Sequence, residues 1–285
     1  MRRTSSYGIL FLLLPLLLAG CTDNPFESAP AIAPSQRTVR GTVQLSNTSD
    51  HSGVYVWLEE FDLSTTTGSD GNFSLTLPPP AAQGGGGVSG VFRLWTFLGN
   101  YNIRSVRIAV KDGSFVYPST AVDENGRLRE ALFMQQRFSF ATTLSMTRIE
   151  ADSPRFISMQ VELRAPAAPS DVYFPRMVNG VEGPVFLRNL ESGQVKLFST
   201  TVTGIEVNDY VRVADVAYVR SMLLSIPKYS LQAGQYEVVP YLLPRGMSIP
   251  STLLNSLGED VTGLNPSYLS YPFRREGGRL DVTPN

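Results

Sequence analysis

From Thr38 onward the chain alternates apolar and polar residues with a period of two. Val39, Gly41, Val43 and Leu45 share one parity. After the polar stretch 46–52 the pattern returns at Val54, Val56 and Leu58, and after Ser69-Asp70-Gly71-Asn72 at Phe73, Leu75 and Leu77. Side chains alternate across a strand, so runs of this kind bounded by Gly, Asn, Asp and Ser predict half-buried antiparallel strands. Further strands are expected at 91–98 and 104–110, with Val106, Ile108 and Val110 facing in. Between them, Pro78-Pro79-Pro80 and the glycines 84–87 read as a flexible insertion within one domain or, alternatively, as a linker. Residues 138–247 alternate again, at Ile157, Met159, Val161 and Leu163, and in two runs (185–188 and 195–198) flanking Glu191-Ser192-Gly193-Gln194. Stretch 211–219 fits helical spacing almost as well as strand spacing; its β-branched content and the following Pro227 favour a strand. Near the end, 250–257 predicts a short helix opened by Pro250 and stopped by Gly258. Residues 271–275 and 279–282 predict a hairpin about Glu276-Gly277-Gly278.

The amino terminus follows a different rule. Arg2 and Arg3 precede an apolar run from Ile9 to Ala19, which as a helix would rise only about 16 Å, too short for a ~30 Å hydrocarbon core. A basic start, a short apolar stretch and small residues before a cut mark a secretory signal. Nothing else around the arginine pair matches a twin-arginine export signal, so it serves as leader charge. The run ends in Leu18-Ala19-Gly20-Cys21, which resembles a bacterial lipobox. That resemblance implies cleavage between Gly20 and Cys21, diacylglycerol on the Cys21 thiol and acylation of the new amine. Two or three acyl chains anchor stably where one does not. The competing reading is a structural cysteine near an ordinary cleavage site. Thr22 stands where an Asp tends to retain such proteins at the inner membrane, so the resemblance points to the outer one. Residues 21–36, with Pro25, Pro30 and Pro34, form an extended tether of about 45 Å at ~3.1 Å per residue.

The first alternating segment carries a second resemblance. Val39-x-Gly41-x-Val43, Gly53-Val54-x-Val56-x-Leu58, Thr65-Thr66-Thr67 and Asp70-Gly71-x-Phe73-x-Leu75-x-Leu77-Pro78 resemble the carboxypeptidase regulatory-like, or transthyretin-like, β-sandwich over roughly residues 36–80. Members of that family are non-catalytic attachments on peptidases, transporters and surface proteins. A transthyretin-like hydrolase would need a His-bearing site and a Tyr-Arg-Gly-Ser signature, which this chain does not offer. In the second segment, Leu231-x-x-Gly234-x-Tyr236-x-Val238 looks like the tyrosine corner of Ig-like sandwiches. The expected organisation is therefore all-β: a signal peptide (1–20), a tether (21–36), a carboxypeptidase regulatory-like sandwich (37–137) and an Ig-like sandwich with a short helix and hairpin (138–285).

Composition narrows the function classes. The 285 residues carry 24 basic and 25 acidic side chains, a balance without the basic footprint of a nucleic-acid binder. With one Cys and one His, no internal disulfide and no site of several Cys or His ligands is possible. His51, the single imidazole, sits in a polar turn unsuited to a catalytic triad. Ser225-x-x-Lys228 has the spacing of serine–lysine enzymes, but Pro227 breaks the helix that such a pair needs. Glu59 and Glu60 are adjacent on a strand and point apart, and Glu259-Asp260 has no visible partner. Asp123-Glu124-Asn125-Gly126 is a turn rather than an EF-hand loop, and the glycines 84–87 lack the Gly-Lys pair of a phosphate cradle.

Two features suggest binding. If Val54, Val56 and Leu58 face the core, Tyr55 and Trp57 face out with Glu59, where they can stack on a sugar or anchor a protein partner. Alternatively, the second domain or a loop covers them. Arg274, Arg275 and Arg279 form a basic cluster, read as the charged guard of a hairpin edge rather than an anion site. The expectation is a lipid-anchored envelope protein that binds or scaffolds a protein or glycan partner, with no catalytic residues, metal or cofactor. The alternatives are a carbohydrate-binding lipoprotein using Tyr55 and Trp57, and a hydrolase with an unrecognised carboxylate pair.

Overall fold

Alternation in the first segment is realised as two short sheets closed on one core. Thr38–Leu45 pairs antiparallel with Asn72–Thr76 and, through its last three residues, parallel with Leu132–Met134. The second sheet runs Leu63–Thr66, Tyr55–Leu58, Gly90–Phe97, Arg104–Lys111, Ser114–Phe115. Val39, Val43, Val56, Leu58, Leu94 and Ile108 are fully buried between them; each such side chain stabilises by about 1.5–3 kcal/mol. Gly41 occupies an inward position against Phe73, where a Cβ would lie 2.6 Å from the ring. A computed structural model describes residues 36–84, 86–204 and 208–284. Gly20, Cys21 and the tether up to residue 35 lie outside the described residues. The proline–glycine stretch falls between two strands of this sandwich and is held by Gln83, whose Nε2 donates to the carbonyls of Pro78 (2.6 Å) and Gly113 (2.9 Å).

Residues from Phe138 onward build a second sandwich around a separate core. One sheet runs Arg148–Glu150, Arg279–Thr283, Gly234–Pro240, Val185–Asn189, Val195–Phe198; the other runs Thr200–Thr203, Tyr218–Ile226, Arg155–Arg164, Ser139–Leu144, Glu276–Gly277. The tyrosine corner is formed: Tyr236 is buried and its hydroxyl donates to the Gln232 carbonyl at 3.0 Å. Stretch 211–219 is extended but not one strand. It divides into the end of Tyr210–Val213 and the start of Tyr218–Ile226, because the turn between them is held from outside: Ala165 N–H donates to Ala214 O and the Arg164 guanidinium binds Asp215.

The expected carboxy-terminal hairpin is absent. Glu276–Gly277 joins Ser139–Leu144 in one sheet, whereas Arg279–Thr283 joins Gly234–Pro240 in the other. Gly277 (φ 73°) and Gly278 (φ 65°) turn the chain from sheet to sheet, and a Cβ on Gly277 would lie 2.2 Å from the Thr142 carbonyl. Only glycine enters the left-handed region without cost.

Stretch 241–275 is a layer between the sandwiches. Its helix, Ser251–Leu257, runs from Pro250 to Gly258, and Leu253 is fully buried. On one side the layer packs on Trp57, Trp95 and Phe97, and on the other on Phe186 and Val239. Tyr268 is at its centre, its hydroxyl donating to the Leu242 carbonyl (2.9 Å) and accepting the Leu242 N–H (3.1 Å). Burial foremost pushes the phenols of Tyr241, Tyr268 and Tyr271 above the ordinary tyrosine range, with neighbouring tyrosine charge adding to the effect at Tyr241 and Tyr271. Asn100, fully buried, closes the junction: its Nδ2 donates to the carbonyls of Phe138 and Arg274, and its Oδ1 accepts the Arg274 N–H. Residues 37–285 thus form one compact unit.

Candidate functional site

Tyr55 and Trp57 do point away from the first core, but onto the intervening layer. Trp57 is 3% exposed, packed with Leu253, Val261 and Tyr271. The Tyr55 hydroxyl lies 3.1 Å from Ser256 Oγ. Trp57 is thus almost wholly covered, and Tyr55 keeps partial exposure. Glu59, in the turn that follows Tyr55–Leu58, also keeps partial exposure and accepts the Trp95 indole N–H at 3.3 Å.

The other candidate groups are engaged in building turns and junctions. His51 Nδ1 accepts the Leu45 N–H (3.1 Å), tying its turn to the first strand. Asp123 Oδ1 accepts the N–H groups of Asn125 (2.9 Å) and Arg127 (2.8 Å); these bonds, that from Arg127 foremost, hold its carboxyl below the usual range. Asp260 accepts from the Asn265 side chain, and Ser225 is exposed on the strand Tyr218–Ile226. Among the described residues, no three of His, Cys, Asp and Glu are grouped to hold a metal, and no helix is long and apolar enough to cross a membrane.

The basic cluster is dispersed rather than lined along a solvated hairpin edge. Arg274 reaches back to the first sandwich, donating to the Asp50 carbonyl (2.7 Å) and pairing with its carboxylate (3.1 Å). The Ser52 hydroxyl and N–H, ahead of that guanidinium, hold the Asp50 carboxyl below the usual range. Arg275 lies over the Phe273 ring with Glu237 at 3.8 Å, and Glu237 is also bound by Arg188 at 2.5 Å. Arg279 alone remains exposed. Sequence spacing put these three cations together; the switch of sheets at Gly277-Gly278 separated them.

A cleft of about 670 Å³ lies where no motif marked it: beside Arg104–Lys111 in the first sandwich. Its lining includes the apolar Val106, Leu128 and Leu132, and Val91, Arg107 and Arg129 line it as exposed residues. Arg104–Lys111 pairs with Gly90–Phe97 along its length on one side. On the other side it pairs only at Val110 and Lys111, with Ser114–Phe115, followed by a bond from Val116 N–H to Ala109 O. The Arg104 guanidinium closes the far end on the Phe133 carbonyl at 3.1 Å. Between these limits the strand edge opens into the cleft, and among the described residues no strand pairs with it.

No family model matches the chain, and no curated protein matches it. Among solved structures it is similar to the TIE protein of Bacillus anthracis, at 11% identity and a TM-score of 0.23, covering 76% of this chain and 30% of that one. It is also similar to BcpA, the major pilin subunit of Bacillus cereus (11% identity, TM-score 0.22, 71% of this chain and 63% of that one). A variant of BcpA gives 11% identity and a TM-score of 0.24 over 73% and 67%. The chain therefore spans less than a third of the first protein and under two thirds of the second. At these scores the likeness carries no argument about what the protein does. The all-β sandwich architecture rests on the strand pairing itself.

Proposed function

We propose that the chain is a lipid-anchored bacterial envelope protein that binds or scaffolds a partner without catalysing a reaction. The observation that carries this reading is the position of the one cysteine, directly after Leu18-Ala19-Gly20 at the end of a short apolar run. Acylated Cys21 holds the protein on the membrane, the outer rather than the inner one, and the proline-containing tether carries the paired sandwiches into the surrounding space. The first sandwich resembles the carboxypeptidase regulatory-like fold, whose members are non-catalytic attachments. The structural engagement of His51, Asp123, Asp260 and Glu59 further supports a binding rather than a catalytic role.

Labelled palmitate supplied to growing cells tests the reading. Label is expected in the wild-type chain and none in Cys21→Ser, with the mature mass beginning at Cys21. An unlabelled wild-type protein, or a mature product that retains its leader, overturns it.

A further inference from the structure

We propose that the cleft beside Arg104–Lys111 receives an extended, acidic segment of a partner protein, which adds to the sheet as a further strand. The inference rests on the binding role proposed above, but not on acylation of Cys21.

The main-chain directions carry the argument. The Arg93 carbonyl accepts from Glu59 N–H, away from Arg104–Lys111, so Leu94 and Phe92 turn their polar groups towards it. Their register partners Val106 and Ile108 answer those groups. Ser105 and Arg107 consequently direct their N–H and C=O to the opposite side, as Ala109 does when its carbonyl accepts Val116 N–H. At Ser105 and Arg107 that side is the cleft. Unpaired strand edges template pairing with another chain, and main-chain bonds supply affinity in such complexes. The free stretch, residues 105–108, spans roughly 13 Å at ~3.3 Å per residue, enough for a short strand.

Chemistry selects the occupant. Small apolar side chains on one face of an added strand would meet Val106, Leu128 and Leu132. The edge itself carries Arg104, Arg107 and Lys111, all exposed, and Arg129 stands across the cleft, with Glu130 as the one carboxylate of the lining. Cations in this density oppose pairing with the same edge of a second copy and favour carboxylates on the incoming strand. A peptide alternating small apolar and acidic residues satisfies both the apolar lining and the exposed cations.

The test titrates a labelled peptide of alternating glutamate and valine into the full-length protein in detergent, with a lysine–valine peptide as counterpart. Binding is read by anisotropy, and hydrogen exchange is followed at the amides of residues 104–109. The glutamate peptide is expected to bind and to slow exchange at Ser105 and Arg107, with the lysine peptide weaker by about tenfold or more. Arg107→Glu combined with Arg129→Glu should reverse the preference while leaving the circular dichroism spectrum unchanged. Equal binding of the two peptides, binding without protection of those amides, absence of binding at millimolar peptide, or dimerisation through this edge would each overturn the proposal. Palmitate labelling is a separate readout, so failure of the anchor and failure of the cleft are distinguishable.

Discussion

Replacing Asn100 with Ala tests whether the two sandwiches unfold as one body. Its side chain makes three hydrogen bonds across the junction, at 3.1 Å to Phe138 O, 3.0 Å to Arg274 O and 3.1 Å to Arg274 N. Ala removes all three and leaves one amide donor and two carbonyls to find water. A buried group left unpaired costs about 1–3 kcal/mol. Two of the three bonds are only partly buried, which brings the expected total to about 2–4 kcal/mol. At roughly 2–4 °C per kcal/mol for a body of this size, the midpoint should fall by about 5–15 °C. The assay is urea unfolding read by two probes. Both tryptophans, Trp57 and Trp95, pack in the junction, so fluorescence reports there, whereas far-ultraviolet circular dichroism reports on strands in both sandwiches. The two curves should coincide and shift together. A loss below about 0.5 kcal/mol, typical of a surface substitution, or a biphasic curve in which only one phase moves, would refute the coupling.

Other consequences follow from single contacts. Tyr236→Phe removes the 3.0 Å corner bond to Gln232 O and should cost about 1 kcal/mol in urea unfolding; an unchanged midpoint would show that the corner contributes nothing. Gly99→Val places a Cβ 2.5 Å from the Tyr271 ring and should destabilise by about 1–3 kcal/mol, where Asn102→Val, at an exposed site, should not. The phenols of Tyr241, Tyr268 and Tyr271 are raised in the fold, so the stability they contribute is complete below about pH 10 and declines as the pH rises beyond it. In an alkaline titration, the last phenolate absorbance should appear together with loss of circular dichroism; ionisation of every tyrosine with the fold intact would contradict this.

Local pattern made much of the fold readable. Period-two alternation located Thr38–Leu45, Asn72–Thr76 and Arg155–Arg164, because a strand with one buried face must repeat every second residue. Pro250 and Gly258 bounded the helix, since proline suits a helix start and glycine a stop. The corner was legible as Leu231, Gly234 and Tyr236 in sequence, since its closing bond spans only four residues. Glu276-Gly277-Gly278 was misleading: a positive-φ glycine pair serves a hairpin and a crossing between sheets equally well, and the choice lies with Thr142 and Val238, far away in the chain.

The sequence by itself thus determined which residues turn towards a core, where the chain bends, and that the one cysteine directly follows Leu18-Ala19-Gly20. Tertiary structure alone decided what lies against the opposite faces. Alternation requires Tyr55 and Trp57 to leave their own core, but it carries no information about a helix two hundred residues later, and that helix covers them. The open edge at Arg104–Lys111 is likewise a property of neighbours: a strand's second side is free or occupied according to which distant segment arrives there. Side-chain periodicity is local, whereas burial and edge pairing are set by segments brought together only when the whole chain folds.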